Sequence, residues 1–362
     1  MPRVTRATID LSALRHNFSI AQQRAPQARQ MAVIKANAYG HGMIAVAKAL
    51  PAADGLAVAC VDEAVQLRDA GISQPLLILE GFYDAQELAL CRRHRLTPVV
   101  HQTEQLELLE SEAGEPLPVW LKLDTGMHRL GFTAAQATSA WRRLSVCRSV
   151  AHEGLVLMTH FANADDRDDA RTEQQHALFA QLQRQIASAS AVPQASAANS
   201  AGLLGWPQTH ADWVRPGIML YGVSPFSQHS GGMHDLRPVM TLRSHLIAIG
   251  THKKGETIGY GGSWTCPEDM PVGVVAIGYG DGYPRHARSG TPVLIRGQRA
   301  PLIGRVSMDM LTVDLRGLRD ARLGDEVILW GEGLPVEAVA EHADTIAYDL
   351  LCGVNPRVAV DY

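Results

Sequence analysis

Residues Met31 to Gly42 read MAVIKANAYGHG, a short apolar run closed by one lysine and followed at once by a glycine-rich turn carrying Tyr39 and His41. The run is too short for a helix and fits a strand buried on both faces, as in a parallel α/β sheet. Lys35 then stands at a strand end rather than on a solvated face. A partly desolvated amine has a lowered pKa, and its neutral form can condense with a carbonyl or act as a base. The competing reading is a lysine that snorkels from the end of a strand.

The rest of the first two hundred residues repeats this alternation. Apolar runs occur at Gly55 to Ala59, Pro75 to Glu80, Leu96 to Val100, Val119 to Asp124, Gly154 to His160, Ala195 to Ser200 and Asp212 to Arg215. With Ala32 to Lys35 they make eight strands. Amphipathic stretches such as Asp62 to Ala70, Asp84 to His94, Thr103 to Glu112 and Thr172 to Ala187 separate them. Strands alternating with helices at this length predict a (β/α)8 barrel over residues 11–236. A doubly wound open sheet is the alternative, but no strand, G-x-G-x-x-G and helix stands near the N-terminus as a dinucleotide site requires.

The alternation stops near Leu220. Ser224 to Pro238, SPFSQHSGGMHDLRP, reads as a linker between domains. Beyond it strands are expected at Val239 to Ile249, Gly273 to Gly278, Pro292 to Ile295, Gly304 to Val313, Glu326 to Trp330 and Val358 to Asp361, with one helix at Pro335 to Ala343. Residues 237–362 therefore form a second, mainly β domain. Asp165 to Arg171 reads as a solvated loop.

Composition narrows the class. A chain of 362 residues, 46% hydrophobic, can bury the cores of two domains. A formal net charge of -4 gives no reason to expect nucleic acid or an anionic membrane as partner. Five scattered cysteines, with no C-x-x-C pair and no signal-peptide pattern, suit reduced thiols in the cytoplasm. The histidines show no metal-ligand spacing, so no metal site is expected. The GYGG and GYGDGY loops lack the lysine and Ser/Thr of a P-loop.

Strand C-terminal ends converge on one face of a barrel, and here they carry Lys35, Lys122 with Asp124, His160, Asn199 with Ser200, and Arg215. Loops after the seventh and eighth strands commonly bind phosphate in this fold, and N-S-A-G and R-P-G-I offer a hydroxyl and glycine-flanked N–H groups there. Phosphate on one side and lysine across the mouth suggest pyridoxal phosphate, which is held by its phosphate and by a Schiff base.

AVIKANAYGHG, WLKLDTGMHRLGF, MTHFANAD, NSAG, WVRPGIMLYG, IGYGGSW, IGYGDGYPR and GRVSMDM follow in this order along nearly the whole chain. Together they resemble the bacterial alanine racemases. The resemblance implies a barrel that binds pyridoxal phosphate, a β domain that includes residues 1–10, and a head-to-tail homodimer whose sites lie at the interface. By resemblance Lys35 holds the cofactor and acts as one base, and Tyr260 from the partner chain is the other. His160 and Arg215 support that tyrosine, with Arg215 also facing the pyridine nitrogen. Tyr39, Ser200, Gly217 and Ile218 hold the phosphate. Arg129 and the backbone of Met308 bind the substrate carboxylate, while Tyr279, Asp165, Arg285, Arg305 and Asp309 line the access channel. Lys122 corresponds to a lysine that family members often carry as a carbamate; the plain reading is an unmodified lysine paired with Asp124. A tyrosine that some members place near the phosphate from the C-terminal segment has no counterpart within Leu351 to Arg357.

Two-base chemistry is sound for racemisation, because a proton must leave one face and another arrive on the opposite face. Three alternatives stand beside it. A barrel-type decarboxylase needs an acidic partner for the pyridine nitrogen where Arg215 stands. A non-catalytic cofactor-binding protein would be expected to lack the β domain. A racemase for serine or lysine differs only in pocket contacts, each of which shifts preference by ~1 to 3 kcal/mol.

Overall fold

The computed structural model describes residues 4–187, 192–226 and 230–362. Strand β1 (Arg6–Ile9) comes first, and Asp10 caps the helix Leu11–Arg24 by accepting from the N–H groups of Ser12 at 2.8 Å and Ala13 at 3.0 Å. Parallel strands then close into a barrel in chain order. They are β2 (Arg29–Val33), β3 (Gly55–Val58), β4 (Leu76–Ile78), β5 (Thr97–Val100), β6 (Trp120–Lys122), β7 (Val156–Met158), β8 (Gln194–Ser196) and β9 (Trp213–Val214), and β9 pairs back onto β2. Leu56, Leu76, Leu77, Ile78, Val99 and Leu121 have no exposed surface. Burial on both faces is why these strands read as unbroken apolar runs.

All eight expected barrel strands are present, and the named helices fall at Val61–Asp69, Ala85–Arg93, Thr103–Ser111 and Arg171–Ala187. The connection after the barrel packs tightly rather than lying free in solvent: Phe226 and Leu236 are both buried. Residues 227–229 of the expected linker, and 1–3 of the N-terminal segment, lie outside the described residues.

The second unit contains β10 (Met240–His252), β11 (Thr257–Ile258), β12 (Trp264–Thr265), β13 (Met270–Val275), β14 (Pro292–Ile295), β15 (Gln298–Ile303), β16 (Leu311–Asp314), β17 (Glu326–Trp330) and β18 (Ala359–Asp361). The first part of β10 pairs with β17, and from Leu246 onward, with a break in register between Leu246 and Ala248, the strand pairs with β13. One bent strand thus serves two neighbours and the sheet closes on itself. On its outer side β10 takes β1 antiparallel, with Ile9 opposite Met240, and β1 takes β18 in parallel. The N-terminal strand therefore belongs to the β unit, although the barrel follows it in sequence.

One expected strand is corrected. Gly304 to Val313 is a strand only from Leu311, because residues 304–310 form a loop whose carbonyls serve another turn: Ser307 accepts from Tyr279 N–H at 3.1 Å and Met308 from Gly280 N–H at 2.8 Å. Among the described residues no helix is long and apolar enough to cross a membrane.

Candidate active site

A cavity of about 810 Å³ opens at the C-terminal mouth of the barrel. Lys35 enters it two residues beyond the end of β2 and leads into a turn of unusual handedness. Ala36, Asn37, Ala38 and Tyr39 all have φ between 52° and 55°, forming one left-handed helical turn of non-glycine residues. Such a backbone costs roughly 1–2 kcal/mol per residue, so surrounding contacts must hold it. Asn37 Oδ1 accepts from Met43 N–H at 2.9 Å, and His41 Nδ1–H reaches the carbonyls of Ala38 and Tyr39 at 3.0 and 2.9 Å. Gly40 continues the turn at φ 83°, where a Cβ would meet the Leu351 carbonyl. The expected glycine-rich turn is thus a left-handed one that brings Lys35 and Tyr39 to the same cavity.

Tyr39 is buried, with its ring 4.7 Å from Tyr221 and 6.0 Å from Tyr348. Burial raises its phenol far above the ordinary value, so it stays protonated and can donate. Opposite, Ser200 opens the short helix Ser200–Gly205 after β8 and its Oγ accepts from Gly217 N–H at 2.8 Å. Ile218 is buried and its N–H finds no acceptor among the described residues.

Arg215 follows β9 and is 3% exposed. Its Nη2 donates to the carbonyls of Thr159 at 2.6 Å and Ala197 at 3.2 Å, and lies 3.4 Å from His160 Nδ1; Nη1 donates to Ser196 Oγ. Burial lowers the guanidinium to about 10, which leaves it charged at neutral pH. Desolvation, and then the charges of Arg215, Lys122, Arg129 and Lys35, push the His160 imidazole well below its usual range.

Lys122 ends β6 and is buried. Desolvation together with Arg215, Arg129 and Lys35 lowers its amine to about 8. The Asp124 carboxylate does not pair with it. It accepts instead from the N–H groups of Gly126 and His128, each at 3.0 Å, and from His128 Nδ1 at 3.0 Å. Arg129 lies on the same loop and lines the cavity.

Tyr260, Tyr279, Met308 and Asp309 stand apart from this group, on the β unit. Tyr260 is 68% exposed, in the turn between β11 and β12, and none of the four lines the cavity of its own chain. The Tyr279 turn and the Met308 loop are tied by the backbone bonds that Ser307 and Met308 accept, and Arg357 donates to Asp309 at 2.8 Å while its Nε lies 2.8 Å from buried Asp281. Most of the sequence-predicted residues thus form two clusters: Lys35, Tyr39, Arg129, His160, Asp165, Ser200, Arg215, Gly217 and Ile218 around the cavity, and Tyr260, Tyr279, Met308 and Asp309 elsewhere, on the β unit. Tyr348 and Cys352 do not stand out in the sequence. They come from the helix Ala347–Cys352 and line the cavity beside Tyr39. Tyr348 thus brings a tyrosine to the cavity from outside Leu351 to Arg357, the stretch that contains none.

Sequence profiles of the alanine racemase N-terminal and C-terminal domains match residues 9–225 and 239–362. The chain belongs to the alanine racemase family. It is 50% identical to the alanine racemase of Chromohalobacter salexigens over all of this chain and 98% of that one. It is 51% identical to that of Shewanella baltica, over 98% of each chain. Among solved structures, the biosynthetic alanine racemase of Pseudomonas aeruginosa superposes with a TM-score of 0.95 at 47% identity, covering 99% of both chains.

Alanine racemases use pyridoxal phosphate, and the residues at this cavity fit it. A Cβ at Gly217 would sit 2.8 Å from Tyr39 Oη, so glycine keeps open the space where phosphate oxygens would meet that hydroxyl. The Ile218 N–H and Ser200 Oγ supply further hydrogen-bonding groups at the same place. Across the cavity Lys35 offers an amine and Arg215 a cation.

Proposed function

We propose that this protein interconverts L- and D-alanine with pyridoxal phosphate bound at the barrel mouth. The observation that carries the reading is the convergence on one cavity of the Lys35 amine, the Tyr39, Ser200 and Ile218 cradle, and a buried Arg215 where a decarboxylase of this architecture needs an acid. When bound, the cofactor supplies an electron sink that acidifies the Cα–H of the amino acid.

The chain's own residues do the rest. Lys35 holds the cofactor through its amine, and that amine takes or returns a proton at Cα from one face. Tyr260 of the partner subunit serves the opposite face, which accounts for its lying exposed and away from its own chain's cavity. Deprotonating a tyrosine near neutral pH needs cationic help. Neutral His160, hydrogen-bonded to Arg215, supplies the link to that charge. Arg215 carries only donors, and its tight carbonyl ligation keeps it charged, so it cannot hand a proton to the pyridine nitrogen. By withholding that proton Arg215 would disfavour transfer of the amino group to the cofactor, the side reaction that releases the carbon skeleton as pyruvate.

Arg129 and the Met308 backbone of the partner subunit bind the substrate carboxylate, for which a guanidinium fork is well shaped. Lys122, beside three cations and with no carboxylate in an ion pair with it among the described residues, suits conversion to a carbamate that would orient Arg129. Tyr279 and Asp309 line the partner's access channel. On this reading the protein is a cytoplasmic homodimer with shared sites, divided into residues 11–236 and 237–362 with 1–10.

The deciding experiment incubates the purified protein with a panel of L-amino acids and scores products by chiral chromatography. Alanine should racemise fastest, and borohydride reduction should fix the cofactor to Lys35. Preferential turnover of serine or lysine, or a reduced adduct on Lys122, would overturn the assignment.

A further inference from the structure

Four successive non-glycine residues at positive φ would each gain by reverting to a right-handed backbone, so something must prevent it. Most hydrogen bonds of the turn are local: Ala38 N–H to the Ile34 carbonyl at 2.8 Å, Gly40 to Ala36 at 3.1 Å, and Gly42 to Asn37 at 3.0 Å. The first N–H is different. Ala36, the residue directly after Lys35, donates to Oε1 of Glu63 at 2.7 Å. The other oxygen of that carboxylate, Oε2, accepts from Ala59 N–H, also at 2.7 Å.

Glu63 lies in the first turn of the helix Val61–Asp69, and Ala59 is the residue after β3. β2 and β3 are neighbours in the barrel, and Ile34 N–H donates to the Ala57 carbonyl at 2.8 Å. One carboxylate therefore bridges the ends of two adjacent strands, with one oxygen on each. Only a carboxylate can do this, since an amide offers one acceptor and would set its NH2 against the second N–H. Charge also strengthens both bonds relative to a neutral acceptor. Glu63 does not itself line the cavity.

We propose that Glu63 is a positioning residue, whose carboxylate locks the left-handed turn onto β3 and so keeps Lys35 and Tyr39 together on one wall of the cavity. The inference rests on the reading of Lys35 and Tyr39 as cofactor ligands. Releasing Ala36 would let the Lys35–Ala36 peptide rotate, and the amine and the phenol four residues later would no longer be held in the same frame.

The test compares holoenzymes of wild type, Glu63→Gln and Glu63→Asp in three measurements. These are pyridoxal phosphate affinity by fluorescence titration, alanine racemisation, and amide hydrogen exchange of peptides covering residues 34–43. Glu63→Gln should weaken cofactor binding at least tenfold, lower kcat at least tenfold, and speed exchange in that segment while barrel peptides remain protected. Glu63→Asp, shorter by one methylene and able to reach only one N–H, should fall between. It decides the matter if the glutamine variant does not fold. A purely structural role would lower the melting temperature and leave kcat and cofactor affinity within twofold of wild type, and that result overturns the proposal. If wild type neither binds the cofactor nor racemises alanine, the functional reading itself has failed and Glu63 is not at issue.

Discussion

Nη2 of Arg215 stands 3.4 Å from Nδ1 of His160, and this contact fixes the tautomer of the imidazole. A guanidinium has donors only, so Nδ1 must accept and the ring proton must sit on Nε2. The histidine that burial and four cations keep neutral thus presents an N–H away from Arg215. In the proposed dimer that N–H faces the tyrosine supplied by the other subunit.

Replacing Arg215 with glutamate should separate rate from outcome. A carboxylate at this position favours a protonated pyridine ring, so racemisation should slow at least tenfold while the fraction of turnovers ending in pyruvate rises. Coupled assay of pyruvate against chiral analysis of alanine measures both. An unchanged ratio of pyruvate to racemised alanine rejects the selector role.

Gly217→Ala tests the cradle directly. The added methyl would lie 2.8 Å from Tyr39 Oη, and the Tyr39 ring, packed against Tyr221 and Tyr348, has little room to retreat. Cofactor affinity should fall about tenfold, equivalent to roughly 1.4 kcal/mol, and the overpacked contact should also lower the melting temperature. An unaltered dissociation constant in fluorescence titration would remove Gly217 from the phosphate site.

Sharing of sites predicts complementation. Lys35→Ala and Tyr260→Phe should each nearly abolish activity. Random exchange of subunits makes about half the dimers mixed, each with one intact site of two, so roughly a quarter of wild-type specific activity should return. Verified exchange without recovery would mean that both residues serve the same chain's site.

Acid stability follows from His41. Burial holds its imidazole down to about 4, against about 6.5 in an unfolded chain. Between those values the unfolded state binds a proton that the folded state refuses, so stability falls as pH drops from about 6.5 toward 4. At pH 5 this is worth about 2 kcal/mol. His160 acts in the same direction. A His41→Asn variant should melt lower than wild type at pH 7 yet lose less between pH 7 and pH 5. Parallel melting curves against pH would contradict the assignment.

The barrel is legible in the sequence because its strands are short apolar runs buried on both faces, and Lys35 because a charge that closes such a run seldom belongs to a solvated face. The turn after it is not. Among Ala36, Asn37, Ala38 and Tyr39 only Asn37 is of a type that visits positive φ readily, and two of the contacts that hold the turn come from outside it: Ala36 N–H donates to Glu63 and the His41 ring meets the carbonyls of Ala38 and Tyr39. Tyr348 escapes notice because its helix has only six residues, too short for a periodic signal. GRVSMDM alternates like a strand, but its carbonyls are claimed by the Tyr279 turn. The two clusters of site residues look unrelated in sequence and only the family resemblance links them.

The placement of β1 has a consequence for how the polypeptide comes together during synthesis. Ile9 is paired with Met240 and Arg6 with Ala359, while the Arg6 guanidinium grips Asp361. Every barrel strand emerges from the ribosome before either neighbour of β1 exists. The barrel can therefore close first, while β1 keeps one edge unpaired until β10 is made and the other until β18 follows more than a hundred residues later.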